Sequence, residues 1–301
     1  VETRVWAAII VASFGYGTTG VATRAALNAG VPPIALAAIR ALLAAVALAA
    51  LFAWRRGRIE FSRGNVVTGI MAGLFQLTLP FILFTLAYQY ASAGFVGLFV
   101  ALLPLGVALM AHVMLSDEPL TRAKVAGLLL AFLGVALLLV SGDSGLGTAG
   151  DPLLAALLTM GAVASLAFAA VFIRSRAGTY NPGQISLIQF VFGTVVVGII
   201  MFVFEGAPPR LTTWGWVLML YLTLFCSLAP TFLYFWLLSK VTSTKTALTG
   251  YLSPLISLVA GVLLLGEVIE LGIVIGGALI LAGVIWTDQA ERRLARAVRA
   301  G

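Results

Sequence analysis

Residues 115–135 read Leu115-Ser116-Asp117-Glu118-Pro119-Leu120-Thr121-Arg122-Ala123-Lys124-Val125-Ala126-Gly127-Leu128-Leu129-Leu130-Ala131-Phe132-Leu133-Gly134-Val135, a polar turn followed by an apolar run with glycines 9 and 16 residues beyond the glutamate. The pattern returns later in the chain. Glu267-Val268-Ile269 precedes Gly276 and Gly283 at the same two spacings. Upstream, Pro80 falls on Pro230, Pro104 on Pro254 and Arg24 on Arg174 at an offset of 150, and Pro33 falls on Pro182 one residue short. Agreement at so many punctuating residues reads as an internal duplication.

The chain has 301 residues, 61% hydrophobic and 10% charged, against about 45–50% and about 25% in soluble domains. That excludes an ordinary soluble domain, and it excludes disorder, whose signature is low hydrophobicity. Eighteen Lys plus Arg against eleven Asp plus Glu give +7. These charges lie in short gaps between apolar runs and form no basic patch, so no nucleic-acid partner is expected. Cys226 and His112 are the single cysteine and the single histidine. They leave no disulfide framework and no metal-ligand set, and no cofactor is expected.

A helix crossing the hydrocarbon core needs about 20 mainly apolar residues. Ten segments qualify: Val5 to Leu27, Ile34 to Trp54, Val66 to Tyr88, Ala93 to Leu115, Ala123 to Val140, Leu153 to Ile173, Ile185 to Phe204, Trp214 to Trp236, Ala247 to Leu265 and Leu271 to Thr287. Turn chemistry separates them, as at Gly30-Val31-Pro32-Pro33, Gly142-Asp143-Ser144-Gly145 and Asn181-Pro182-Gly183. Fifteen of the Lys and Arg residues fall in the gaps on one side, only Arg24 and Arg210 fall on the other, and Arg40 is inside a span. By the positive-inside rule both termini are expected in the cytoplasm. The first span is too long for a signal peptide and belongs to the repeat, so it is read as part of the fold.

Each copy of the repeat holds five spans, an odd number, so the second copy enters the membrane from the other side. The expected fold is therefore an all-α membrane protein of ten transmembrane helices in two inverted five-helix repeats, 1–141 and 142–288, with a basic cytoplasmic tail, 289–301. Inverted repeats around a midplane site are an architecture of alternating-access transporters.

The run from Leu115 to Thr121 with Gly127 to Val135, closing each of two five-helix repeats, resembles the ten-helix EamA-type exporters of the drug/metabolite transporter superfamily. Within it, the chain looks most like the bacterial amino-acid exporters, including those for aromatic amino acids. The second repeat departs from the pattern by lacking Pro-Leu-Thr after Glu267. The resemblance implies a multi-pass protein of the bacterial inner membrane, embedded in lipid, with a small-molecule substrate. It also implies that spans three, four, eight and nine surround the substrate path.

Pro80, Pro104, Pro230 and Pro254 lie in those four spans, where each removes a backbone hydrogen bond. One reading makes them packing features; the other makes them kinks and gates. Helical spacing places Ser13, Gly17, Gly20 and Arg24 on one face of span one with Tyr16 close by, and Gln76 with Pro80 on span three. It also places Ser165 and Phe168 on span six, Ser227 and Tyr234 on span eight, and Ser257 on span nine. These residues, with Phe99, Arg40 and Gln189, are the candidate substrate-binding set. Small and hydroxyl residues also serve helix packing, which is the competing reading. Arg40 at membrane depth either binds carbonyls or its repeat match Gln189, or receives a substrate carboxylate or forms a gate.

No Asp or Glu lies in mid-span, and Glu118 and Glu267 sit at span ends as solvated anchors. A neutral, aromatic interior suits a zwitterion better than an unpaired cation. The expected function is export of amino acids with apolar or aromatic side chains. Efflux of drugs or organic cations is the alternative transport reading, and a non-transport membrane protein is the other. An enzyme is not expected, because paired carboxylates, a metal cluster and an activated nucleophile are all missing from the spans. For the same reason substrate is expected to move down its own gradient, with at most weak proton linkage at His112, unless Glu118 or Glu267 titrates in a watery vestibule.

Overall fold

The structure is a computed structural model that describes residues 2–54, 62–115, 120–147, 150–240 and 243–300. Among these residues it is all helical, with ten helices long and apolar enough to cross a membrane. They are α1 (Glu2–Asn28), α2 (Pro33–Trp54), α3 (Arg63–Tyr90), α4 (Ala93–Met114), α5 (Arg122–Ser141), α6 (Pro152–Ser175), α7 (Pro182–Phe204), α8 (Thr213–Lys240), α9 (Ser243–Leu265) and α10 (Leu271–Ala300). Glu118, Pro119, Arg55, Arg56 and Arg58 lie outside the described residues.

Backbone N–H groups have no water to bond within hydrocarbon, so each helix start must be capped by the protein. Ser62, Ser92, Thr121, Asp151 and Thr212 do this for α3, α4, α5, α6 and α8, their side-chain oxygens accepting from Asn65, Phe95, Lys124, Leu154 and Gly215. Gly142, with φ at 73°, closes α5 in a left-handed conformation that a side chain would disfavour.

The connections fall on two faces. On the face opposite the N-terminus, Ser92 N donates to Ser144 O, Asp151 N to Tyr90 O and Val268 N to Gly145 O, joining the α3–α4, α5–α6 and α9–α10 connections. On the same face Glu205, after α7, accepts from Ile34 N and Ala35 N at the start of α2. On the N-terminal face Asn65 Oδ1 accepts from Asn181 N at 2.8 Å, tying α3 to the α6–α7 turn.

The glycines that mark the two copies in sequence meet in space. A Cβ on Gly127 would press on Gly283 O, and one on Gly134 would press on Gly276 O. Helices α5 and α10 can therefore approach backbone to backbone, as small residues permit in membranes. The pair flanks the other eight helices and touches them through α4 and α6.

Candidate functional site

The interior is shaped by prolines. In α3 a π-turn, Gly73–Thr78, precedes Pro80; in α8 a π-turn, Leu224–Leu228, precedes Pro230. Leu79 N bonds Leu74 O and Ala229 N bonds Leu224 O, so the same wide closure recurs 150 residues apart. Wide turns leave carbonyls that hydroxyls fill. Thr78 Oγ1 donates to Gly73 O at 2.9 Å, Ser227 Oγ to Leu222 O at 2.8 Å, and Ser165 Oγ, from α6, to Phe75 O at 2.7 Å. Helix α4 is interrupted at Ala101 and Leu102, just before Pro104. Pro254 differs from the other three, because α9 runs unbroken through it.

Arg40 reaches α8 at its π-turn. Its Nε and Nη2 lie 3.0 and 2.8 Å from Ser227 Oγ, and its guanidinium sits 4.7 Å from the centre of the Phe81 ring. Tyr88 and Cys226 are also close to it. Gln189, its match in the repeat, lies elsewhere: the Gln189 backbone carbonyl abuts Gly73, where α7 packs against α3. The repeat offset matches positions within copies, not neighbours between them, and of the alternatives for Arg40 the bond to Gln189 is not the one formed: its partner is Ser227. Arg40 keeps some accessible surface although protein surrounds it.

The helix contacts differ between the two faces. Helix α1 meets α3 through Leu79–Tyr90 and α4 through Ala93–Val100, and α9 meets α4 through the same half. Those are the halves near the opposite face. Toward the N-terminal face α1 runs against α8 and α9, while the first half of α3 packs on α7 and the second half of α4 on α6. Among the described residues the bundle is thus joined at the opposite face and split toward the N-terminal one. Tyr16 on α1 and Thr231 on α8 share a hydrogen bond of 3.3 Å, with Tyr234 nearby, on one side of the split. On the other side Phe75 packs on Phe168 with ring centres 4.7 Å apart, Phe168 stacks on Phe172 at 5.9 Å, and Gln76 is exposed in mid-helix.

The remaining candidates lie in the walls. Ser13 is fully buried and donates to Ile9 O; Ser257 is buried and donates to Ala93 O at 2.8 Å. Phe99 is fully buried and stacks on Phe95. On α1, Gly17 receives Ile256 of α9 and Gly20 receives the Tyr88 ring, so that stripe is a packing face.

One buried ion pair was missed in the sequence. Glu267 is 8% exposed, not a solvated anchor, and its Oε1 lies 3.1 Å from Arg24 Nε. The two meet at ion-pair distance but out of line for a hydrogen bond. Burial pushes the Glu267 carboxyl above its ordinary value, against the pull of the Ala93 N–H and of the Arg24 charge. A carboxylate just outside a span and an arginine near the end of another gave the only signal. Their separation in sequence hid the contact.

Comparison with known proteins agrees with this architecture. The sequence profile described as the EamA-like transporter family matches residues 4–140 and again 153–287. The chain is 24% identical over 282 residues to the uncharacterized transporter YoaV of Bacillus subtilis (strain 168), covering 93% of this chain and 95% of that one. It is 26% identical over 257 residues to an uncharacterized transporter of Archaeoglobus fulgidus, covering 84% and 87%. A solved crystal structure superposes with a TM-score of 0.63 at 20% identity, over 97% of this chain and 99% of that one, which is likeness of fold. Two successive profile matches take in nearly all of the spanning helices, and the chain belongs to the EamA-like transporter family.

Proposed function

We propose that this transporter exports amino acids with apolar and aromatic side chains by alternating access, from a cytoplasmic N-terminal face to the far side of a bacterial inner membrane. The observation that carries the reading is Arg40, a permanent cation at membrane depth held by a hydroxyl and a ring, with no carboxylate against it among the described residues. A charge at that depth is costly without a partner. A guanidinium fork fits a carboxylate in two parallel hydrogen bonds, so the carboxylate of an amino acid is the complement it lacks.

Arg40, Gln76, Tyr16, Tyr234 and Phe168 form the site in this reading. The substrate ammonium lies on ring faces and freed helix carbonyls, and its side chain lies among Phe75, Phe168 and Phe172. Ser13, Phe99, Ser165, Gln189 and Ser257 support the walls, and Ser227 orients Arg40. The π-turns before Pro80 and Pro230 and the break before Pro104 supply the bending positions, whereas α9 runs unbroken through Pro254.

The alternation is between two inverted repeats, 1–141 and 142–288. The profile matching once in each half and the paired π-turns support that division. The cytoplasmic assignment of the N-terminal face rests on its fifteen basic residues, the 289–301 tail included.

Uptake of radiolabelled phenylalanine into proteoliposomes by counterflow tests the reading. Unlabelled phenylalanine should compete and a quaternary amine should not. Competition by the quaternary amine alone would overturn it in favour of organic-cation efflux.

A further inference from the structure

We propose that Arg24 and Glu267 form the latch that closes the transport path at the opposite face and opens once in each cycle. The proposal rests on the alternating-access reading but not on the identity of the substrate.

The pair joins three elements that must part. Arg24 comes from α1 and Glu267 from the α9–α10 connection, and their side chains are 13% and 4% exposed. Both carboxylate oxygens accept the Ala93 N–H, at 2.9 and 3.0 Å, in the first turn of α4. Arg24 Nη1 donates to Ala91 O at 2.7 Å and Tyr88 O at 3.3 Å, where α3 ends. Each charge therefore meets the helix end whose dipole it complements: the cation on the carbonyl end of α3, the anion on the amide end of α4. The two charges then neutralise each other. Separating α1 and α9 from the α3–α4 turn breaks the contacts of both side chains with that turn and exposes the pair to water.

Beneath the latch the helices meet without a gap. Gly20 of α1 admits the Tyr88 ring, Gly94 of α4 admits Leu258 of α9, and Gly97 admits Ser257. These are the contacts through which α1 and α9 touch the end of α3 and the first half of α4, the end at which the bundle is joined. An arrangement open toward the N-terminal face needs a closure here that water does not cross. Hydrophobic contacts alone would supply that closure without a charged pair. An ion pair shared between α1 and the α9–α10 connection is costly to bury but reversible, because water can take over both charges once the helices part.

The surroundings set the sign of the pH effect. Facing Glu267 are Arg24 from α1, Tyr88 from α3 and the amide end of α4; Tyr88 in turn lies near Arg40 from α2. Beside it, Glu270 Oε2 accepts from Gly145 N at 2.8 Å and Asp143 Oδ2 from Gly272 N at 2.7 Å, holding the α9–α10 and α5–α6 connections together. Burial raises the carboxyl in the closed latch, whereas the open latch exposes it to water at its ordinary value. The closed state thus binds the proton more readily. Acidity on the opposite side favours closure as pH falls through the raised value toward the ordinary one, and the balance is indifferent to pH well above both.

The test uses full-length protein in proteoliposomes, with Cys226→Ser removing the native thiol. Leu258→Cys places a probe under the latch, and Arg210→Cys, on the exposed α7–α8 connection, serves as control. A membrane-impermeant maleimide is added on the opposite face. Arg24→Gln, which leaves the Glu267 carboxylate buried without its cation, should label the Leu258→Cys probe about tenfold faster relative to the control, the change that ~1.4 kcal/mol produces. Glu267→Gln, a neutral stand-in for the protonated carboxyl, should not speed labelling, and in the double variant it should reverse most of the Arg24→Gln effect. Labelling unchanged by Arg24→Gln overturns the latch. Should neither variant fold, the unsubstituted latch answers alone: acidifying the opposite side should slow probe labelling relative to the control, and no change, or acceleration, overturns the proposal. Failure of phenylalanine counterflow would overturn the substrate reading and leave this labelling result intact.

Discussion

Arg40 and Ser227 are joined twice: one hydroxyl oxygen, itself donating to Leu222 O, accepts both Nε and Nη2 of the guanidinium. The cation of α2 is thereby fixed to the π-turn of α8. A change in the shape of that turn must move the charge, which in the proposed reading links substrate recognition to the bending position before Pro230.

Ser227→Ala removes the anchor and empties Leu222 O. The loss of a hydrogen bond to a charged group, about 1.5–3 kcal/mol, should appear as a rise in KM for phenylalanine of about tenfold or more, with Ser227→Thr close to the unsubstituted protein. Concentration dependence of counterflow measures it. An unchanged KM would mean that Arg40 holds its position without α8.

The prolines separate by the structure around them. Pro80→Ala restores an N–H that can bond in α-helical register and so competes with the π-turn at Gly73–Thr78. It should lower the transport rate more than the yield of folded protein. Pro254→Ala, in an unbroken helix, should change the rate less. Equal effects of the two, measured as initial rates per folded molecule, would remove the π-turn from the mechanism.

Close backbone contact between α5 and α10 makes a stability prediction. Gly134→Leu forces a side chain against Gly276 O and Ile280 and should cost about 1–3 kcal/mol, as overpacking does. Gly198→Ala has nothing within 4 Å of the added carbon and should be neutral or slightly stabilising. Thermal unfolding in detergent compares them.

The spans were legible in the sequence because hydrocarbon leaves a helix no alternative, and the helix limits fall within a few residues of the apolar runs, except that α10 continues past Thr287 to Ala300. The glycines at 127, 134, 276 and 283 were legible as a pattern, but their mutual contact was not, since offset relates equivalent positions and says nothing about which copies touch. The same limit hid Arg40 with Ser227 and Arg24 with Glu267. Serines 13, 165 and 257 illustrate a second limit. A hydroxyl on a helix face reads alike whether it awaits a ligand or fills a carbonyl, and these three fill carbonyls.

Topology is checked by reporter fusion. A periplasm-active reporter should be silent after Arg58 and at the C-terminus, and active after Gly145. Activity at the C-terminus would reverse the charge argument and the inversion of the repeats.

Proton linkage makes a further distinction. His112 Nδ1 accepts from Leu120 N at 3.3 Å and so ties α4 to the residue just before the Thr121 cap of α5. Counterflow without a pH gradient should persist, and His112→Ala should retain most of it. Transport seen only with an imposed gradient would show that a titrating group drives the cycle.

The carboxylate assignment of Arg40 is tested most directly by pairing substrates with and without that group. Counterflow of labelled phenylalanine should be inhibited by unlabelled phenylalanine far better than by phenethylamine, which keeps the ring and the ammonium and lacks the carboxylate. In Arg40→Gln that preference should collapse toward equality, with the variant still folded by thermal unfolding. An Arg40→Gln protein that kept the full preference for phenylalanine would contradict the account.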